Sequence, residues 1–192
     1  MVTNNGKLVN TYIRTLYSEG LSSIMISFFN TNLSFSFAPC IGKNNVGFDQ
    51  FDISKSLRTT INYEMASFLY QLAMSVVNGK YAGQQISGVL QCNNNTTLIF
   101  EYKPDQYNQM GSCLTINKNN EMISFRFKTH IYRVKENGQM ITKIIQSGLG
   151  AFAKTLDGYL TGINADGHLN KLLDDLESLQ NENQQVSLTA LG

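Results

Sequence analysis

Leu33-Ser34-Phe35-Ser36-Phe37-Ala38-Pro39-Cys40-Ile41-Gly42 decides how the rest of the chain is read. Leu33 to Phe37 alternates apolar with small polar residues at period two, the pattern of a strand with one buried face, and Pro39, which cannot donate to a ladder, marks its end. A second extended piece is expected around Gly47 to Ile53. Asn62 then caps a helix whose Met65, Phe68, Leu69, Leu72, Ala73, Val76 and Val77 recur at helical spacing, and Asn78-Gly79 stops it. Its polar residues Glu64, Ser67, Gln71, Ser75 and Asn78 form one narrow stripe. A helix this apolar is covered on more than one face. One face can rest on its own sheet; Tyr63, Ala66, Tyr70 and Met74 are the expected contact with a second subunit.

Working outward, Leu8 to Tyr17 and Ile24 to Phe29 read as strands, with turns at Ser18-Glu19-Gly20 and Asn30-Thr31-Asn32. Connections this short make antiparallel pairs. The second half repeats the order: Ile86 to Cys92, Thr97 to Lys103, Cys113 to Lys118 and Met122 to Val134 read as strands. A helix is expected from near Asn137 to about Thr161, with Ile141, Ile144, Ile145, Leu149, Phe152, Leu156 and Leu160 on its apolar side. Its small residues Ser147, Gly148, Ala151 and Thr155 would let another helix approach. Gly148 and Gly150 each cost roughly 1 kcal/mol against alanine, and packing on a neighbour is the expected compensation. A last helix opens at Asp166 and carries Leu169, Leu172, Leu173, Leu176 and Leu179 on one face.

The expected fold is therefore α+β: two four-stranded antiparallel sheets, each followed by a helix, in a single domain over 1–164 made of halves 8–79 and 86–162. A C-terminal amphipathic helix follows over 165–180, and the polar tail 181–192 is expected to be disordered.

A chain of 192 residues can bury a sizeable core, roughly 70% of its unfolded surface. Fifteen Lys and Arg against fourteen Asp and Glu give a formal +1, but the two signs are not evenly spread. Up to Asn164 there are fourteen basic and nine acidic residues; beyond it Lys171 faces Asp166, Asp174, Asp175, Glu177 and Glu182. Cys40, Cys92 and Cys113 are odd in number, far apart and without CxxC spacing, so neither a disulfide framework nor a zinc site is indicated, and a reducing cytoplasm is expected. No leader pattern or apolar run of about 20 residues suggests a membrane.

Met122 to Val134 is the richest local signal. Read as one strand, it puts Ile123, Phe125, Phe127, Thr129 and Ile131 on a core face and Ser124, Arg126, Lys128, His130 and Tyr132 on the other. Cations and a ring along an extended surface suit a single nucleic-acid strand, neutralising phosphates and offering flat groups for bases. A solvated strand face with incidental charges is the plainer alternative. Tyr12, Arg14, Lys43, Lys55, Tyr102 and Lys103 join the candidates if the sheets bring them close. Phe35, Phe37, Phe68, Phe125 and Phe127 are assigned to the core. His130 with a cysteine could form a thiol–imidazole pair, but no flanking pattern supports it, and no phosphate-cradling glycine loop is present. A non-catalytic protein without metal or cofactor is expected.

The order of elements and several segments resemble the Whirly family of single-stranded nucleic-acid-binding proteins. The residues that carry the likeness are Phe37-Ala38-Pro39-Cys40-Ile41-Gly42, Phe51-Asp52-Ile53-Ser54-Lys55 and Ile61-Asn62, with Phe100-Glu101-Tyr102-Lys103-Pro104-Asp105 and Ile131 to Gly162 as weaker matches. They cover about Leu8 to Asn164. Plant members carry Lys-Gly-Lys-Ala-Ala-Leu at the hairpin after the first strand, where this chain has Tyr17-Ser18-Glu19-Gly20-Leu21-Ser22 and neither lysine. The resemblance, to a diverged bacterial or viral member, implies single-stranded DNA binding in replication, recombination or repair, in the cytoplasm of a bacterial cell or a phage-infected host. It also implies a homotetramer with its helices at the centre, to which Ser147, Gly148 and Ala151 would contribute. Single-stranded RNA is the alternative ligand. A protein-assembly module on the same scaffold, binding through the C-terminal helix or acidic tail, is the alternative class.

Overall fold

In the computed structural model of the chain the described residues are 3–4, 7–8, 11–29, 32–104 and 109–162. The expected C-terminal helix and tail lie outside them. The chain divides into two compact units, Met1–Asp157 and Gly158–Gly192; of the second, only residues 158–162 are described, as the end of a helix.

The elements, in order, are β1 (Thr3–Asn4), β2 (Lys7–Leu8), β3 (Thr11–Ser18), β4 (Ser22–Phe29), β5 (Asn32–Lys43), β6 (Asp49–Phe51), a 3-10 turn over Ile53–Lys55, β7 (Leu57–Ile61) and α1 (Tyr63–Val77). There follow β8 (Ile86–Cys92), β9 (Thr96–Pro104), β10 (Met110–Lys118), β11 (Glu121–Arg126), β12 (His130–Glu136), β13 (Gln139–Ile145) and α2 (147–162). The fold is α+β, with two helices and antiparallel sheets. One sheet runs β3-β4-β5 with both β6 and β7 paired to β5; the other runs β11-β10-β9-β8; β12 and β13 form a separate two-stranded ribbon, as do β1 and β2.

Three expectations change. Pro39 does not end its strand: β5 continues to Lys43, because the partner on one edge switches there from β7, last paired at Phe37–Leu57, to β6, first paired at Cys40–Phe51. The missing N–H faces that gap, while the Pro39 carbonyl accepts from Asp52 N at 3.0 Å. Second, the strand next to β5 in the main sheet is β7, just before the helix, and the piece expected at Gly47 to Ile53 shrinks to the short β6. Third, Met122 to Val134 is not one strand, and the helix does not begin near Asn137. β11 stops at Arg126, and Asn137-Gly138, with φ of 50° and 82°, closes a tight hairpin. Asn-Gly between alternating β-branched residues is the strongest short hairpin signal, and it wins over the helical spacing of Ile141, Ile144 and Ile145. Those isoleucines lie on β13, and α2 starts at residue 147.

Asparagine does much of the turning. Every non-glycine residue with positive φ among the described residues is an Asn: Asn94, Asn95, Asn119, Asn120 and Asn137. A short polar side chain tolerates the left-handed region better than other L-residues do, which accounts for part of the Asn-rich composition.

The core lies where the inner sheet faces and α2 meet. Ile24, Ile26, Leu33, Phe35 and Phe37 of the first sheet, Leu98, Phe100, Leu114, Ile116 and Phe125 of the second, and Leu149, Phe152 and Leu156 of α2 are buried. Phe152 packs between Phe35, at 6.0 Å, and Phe127, at 5.1 Å, and Phe127 meets Phe125 edge-on at 5.1 Å. Each such ring contributes roughly 1.5–3 kcal/mol by burial. α1 is capped by Asn62, whose Oδ1 accepts from Met65 N at 3.0 Å, and buries Ala66, Leu69, Ala73 and Val76. Phe68, expected in the core, is 41% exposed and lies with Leu72 over Gly88 of β8, where a Cβ would sit 2.5 Å from Leu72 Cδ1.

The two sheets are joined by hydroxyls. β11 is an edge strand, and two of its backbone groups are taken up by the β3–β4 hairpin: Ser22 Oγ donates to Ser124 O at 2.7 Å, and Arg126 N donates to Ser18 Oγ at 3.2 Å. That end of the edge is thereby closed to other strands. The six residues Tyr17 to Ser22 thus sit at the junction between sheets.

Candidate nucleic-acid interface

The outer face of the first sheet is lined mostly by small residues. Ser23, Met25 and Ser27 of β4 lie opposite Ala38, Ser36 and Ser34 of β5, so Met25 stands among small side chains there. Larger side chains rim this face. Tyr17 is 65% exposed, and its ring meets Phe51 at 5.5 Å. Together with Thr15, Ser23, Met25, Ser36, Ala38 and Ile53 these rings line a groove of about 250 Å³. Beyond it the β5–β6 corner carries Ile41, Val46 and Phe48, all well exposed. The corner is held open by Asn44, whose Oδ1 accepts from Val46 N and Phe48 N, each at 2.9 Å.

On the other side of Tyr17 a second groove of about 330 Å³ is lined by Ser18, Glu19, Leu21, Asp49, Arg126, Phe127, Lys128 and Thr129. The Arg126 guanidinium reaches across β10, where a Cβ on Gly111 would come within 2.7 Å of it. One exposed ring therefore stands between an apolar, hydroxyl-floored groove and one whose wall carries two cations, Arg126 and Lys128, and two carboxylates, Glu19 and Asp49. From Lys128 the chain passes directly into the β12–β13 ribbon.

The base of that ribbon is clasped to α2. Gly148 N donates to Lys128 O at 2.8 Å, and Ser147 Oγ donates to the same carbonyl at 3.2 Å. His130 Nδ1 lies 2.6 Å from Ser147 Oγ, a hydrogen bond whose direction is set by the imidazole tautomer. The His130 ring stacks on Tyr132, centroids 6.1 Å apart, and both remain exposed. Gln146 completes the clasp by accepting from Ser112 Oγ at 3.3 Å.

The ten expected nucleic-acid contacts separate into groups. Arg126, Lys128, His130 and Tyr132 come together along the path from the second groove to the ribbon. Tyr102 does not join them: successive strand residues face opposite sides, and it turns inward with Leu98 and Phe100, where burial pushes its phenol above the usual range. Lys103 is on the outer side, bound to both oxygens of Glu101 at 2.8 Å. Lys43 pairs with Glu19 at 3.8 Å, and Lys55 with Asp52 at 3.6 Å. Ser54 above all holds the Asp52 carboxyl below its usual range. Arg14 is exposed but lies on a different groove, and the Tyr12 side chain is outside the described part.

That other groove, of about 630 Å³, runs between α1 and α2 and is lined by Arg14, Tyr70, Met74, Val77, Ser147, Gly150, Ala151, Lys154 and Asp157. It gathers Tyr70, Met74, Ser147 and Ala151 of the expected subunit contact. Tyr63 is exposed, whereas Ala66 is fully buried inside the chain, which removes it from any surface open to a second copy. Gly148 finds its close neighbour within the chain, the Lys128 backbone, since a Cβ there would lie 2.5 Å from Lys128 N.

Tyr17, Phe48, Arg133 and Lys135 are absent from the sequence-based candidates. The Asn137-Gly138 turn is the signal that would have placed Arg133 and Lys135 on a ribbon. Among the described residues, no group of three or more His, Cys, Asp or Glu could hold a metal ion, and no helix is long and apolar enough to cross a membrane. Comparison with known protein families, known proteins and solved structures returns no match to this chain.

Proposed function

We propose that this chain is a non-catalytic, sequence-tolerant single-stranded nucleic-acid-binding protein, DNA favoured over RNA, serving DNA replication, recombination or repair in the cytoplasm of a bacterial cell or a phage-infected host. The observation that carries the reading is the series of groups from the exposed Tyr17 ring past half-buried Arg126 and exposed Lys128 to His130 and Tyr132, both exposed. Rings flank two cations there, the combination a single strand uses: faces for bases and positive charge for phosphates. We read the two sheets and their helices as a Whirly-like arrangement with the β12–β13 ribbon inserted before the second helix. The groove between α1 and α2 supports the self-association that this reading carries, a homotetramer with its helices inward.

Fluorescence polarisation with a labelled thymidine oligomer, competed by single-stranded RNA and by duplex DNA over a salt series, tests the binding. Salt-sensitive binding to the single strand that duplex competes for poorly is the expected result. Losing Tyr17 to alanine should cost about 1–3 kcal/mol of affinity, the worth of one stacked base. Absence of salt-sensitive single-strand binding would remove the proposal and leave the assembly-module reading.

A further inference from the structure

We infer that the β12–β13 ribbon is an arm that grips the backbone of the bound single strand and supplies most of the salt-dependent part of its affinity. The inference rests on the single-strand reading above and assigns it a second, separable contact region.

Over 128–145 the chain carries Lys128, Arg133, Lys135 and Lys143 against one acid, Glu136. Glu136 is taken by Lys143. Among the described residues no ion pair joins Lys128, Arg133 or Lys135; Lys43, Lys55 and Lys103 each have a carboxylate partner, while Arg14, Arg58 and Lys118 have no ion pair but are scattered over three different strands. The ribbon and its lead-in thus bring three cations without an ion-pair partner together within residues 128–135.

Its geometry is equally unusual. A two-stranded ribbon is marginal in water by itself, yet this one leaves both faces largely exposed along seven residues of each strand. Register puts Ile131, Arg133 and Lys135 opposite Ile144, Thr142 and Met140 on one face. That face mixes cations with aliphatic side chains.

A duplex presents phosphates but keeps its base faces stacked away. A single strand presents both, and it matches a surface that is half cationic and half aliphatic. A second copy is the poorer occupant. In a two-fold contact of this face with itself, the unpaired cations of the two copies would oppose one another.

The test uses the full-length chain with Arg133→Gln and Lys135→Gln together, both exposed positions, with circular dichroism and light scattering as controls on fold and assembly. With a labelled thymidine oligomer, the slope of log Kd against log salt should fall by about 1.4, some 0.7 for each phosphate no longer neutralised. Tyr17→Ala should weaken binding while leaving the slope as it is. If the wild-type chain binds no single strand, the single-strand reading fails first. If the wild-type chain binds and the double variant keeps its slope, the arm is wrong while that reading stands. A change in assembly with unchanged binding would also overturn it, making the ribbon a contact between copies.

Discussion

Ser22 is a small residue with a large structural duty. Its hydroxyl, fully buried, satisfies the Ser124 carbonyl on the edge of the other sheet. Ser22→Ala leaves that carbonyl without its partner and should cost about 1–3 kcal/mol, read as a lower urea midpoint at unchanged m-value. The two glycines at the start of α2 make a sharper pair. Gly148→Ala drives a Cβ against the Lys128 backbone and should destabilise by about 1–3 kcal/mol. A Cβ on Gly150 would meet nothing within 4 Å, so Gly150→Ala should gain up to about 1 kcal/mol from helix propensity. Thermal unfolding of the two variants should move in opposite directions. Both movements in the same direction would contradict the close approach at Lys128. For the thiols, burial pushes Cys92 and Cys113 above the usual range, so they stay protonated and react slowly with a disulfide reagent at about pH 8 until the chain is unfolded.

At the scale of elements, the ribbon and the central strands should behave differently in native hydrogen exchange. β9 and β10 are paired on both sides, while β12 and β13 pair only with each other. Ribbon amides should therefore exchange through local opening well before those of β9 and β10, and equal protection would mean that the ribbon is covered in solution. The elements also show what a sequence can reveal. Strand-forming alternation at Leu33 to Phe37 and the capped helix at Asn62 were legible because local pattern and burial agree there. β7 was hidden: Leu57-Arg58-Thr59-Thr60-Ile61 is short, and it becomes a strand through pairing with β5, more than twenty residues upstream at most of its positions. The ribbon was misread because Ile141, Ile144 and Leu149 happen to fall at helical spacing across a strand, a break and a helix. Turn chemistry at Asn137-Gly138 outranked that periodicity.

On the scale of the whole molecule, the candidate interface was legible in part for the same reason. Lys128, His130 and Tyr132 stayed together because they are neighbours in sequence and all remain exposed. Tyr17 was invisible as a candidate because it is marked out by two grooves whose walls lie as far apart in sequence as Thr15 and Thr129. Pairing of Lys43 with Glu19 likewise depends on tertiary structure. The helix groove bears on assembly. Tyr70→Glu with Met74→Glu places two charges in it and should dissociate a tetramer into folded smaller species by light scattering. A wild-type chain that stays monomeric at micromolar concentration would remove the assembly.

The central claim is that one bound single strand reaches both the rings beside the first sheet and the cations on the ribbon. Hydrogen exchange of the full chain, with and without a saturating thymidine oligomer of about 20 nucleotides, tests it most directly. Added protection should appear both at the β5–β6 corner and Tyr17 to Leu21 and along β12–β13. Binding that protects neither region, or only the groove between α1 and α2, would contradict it.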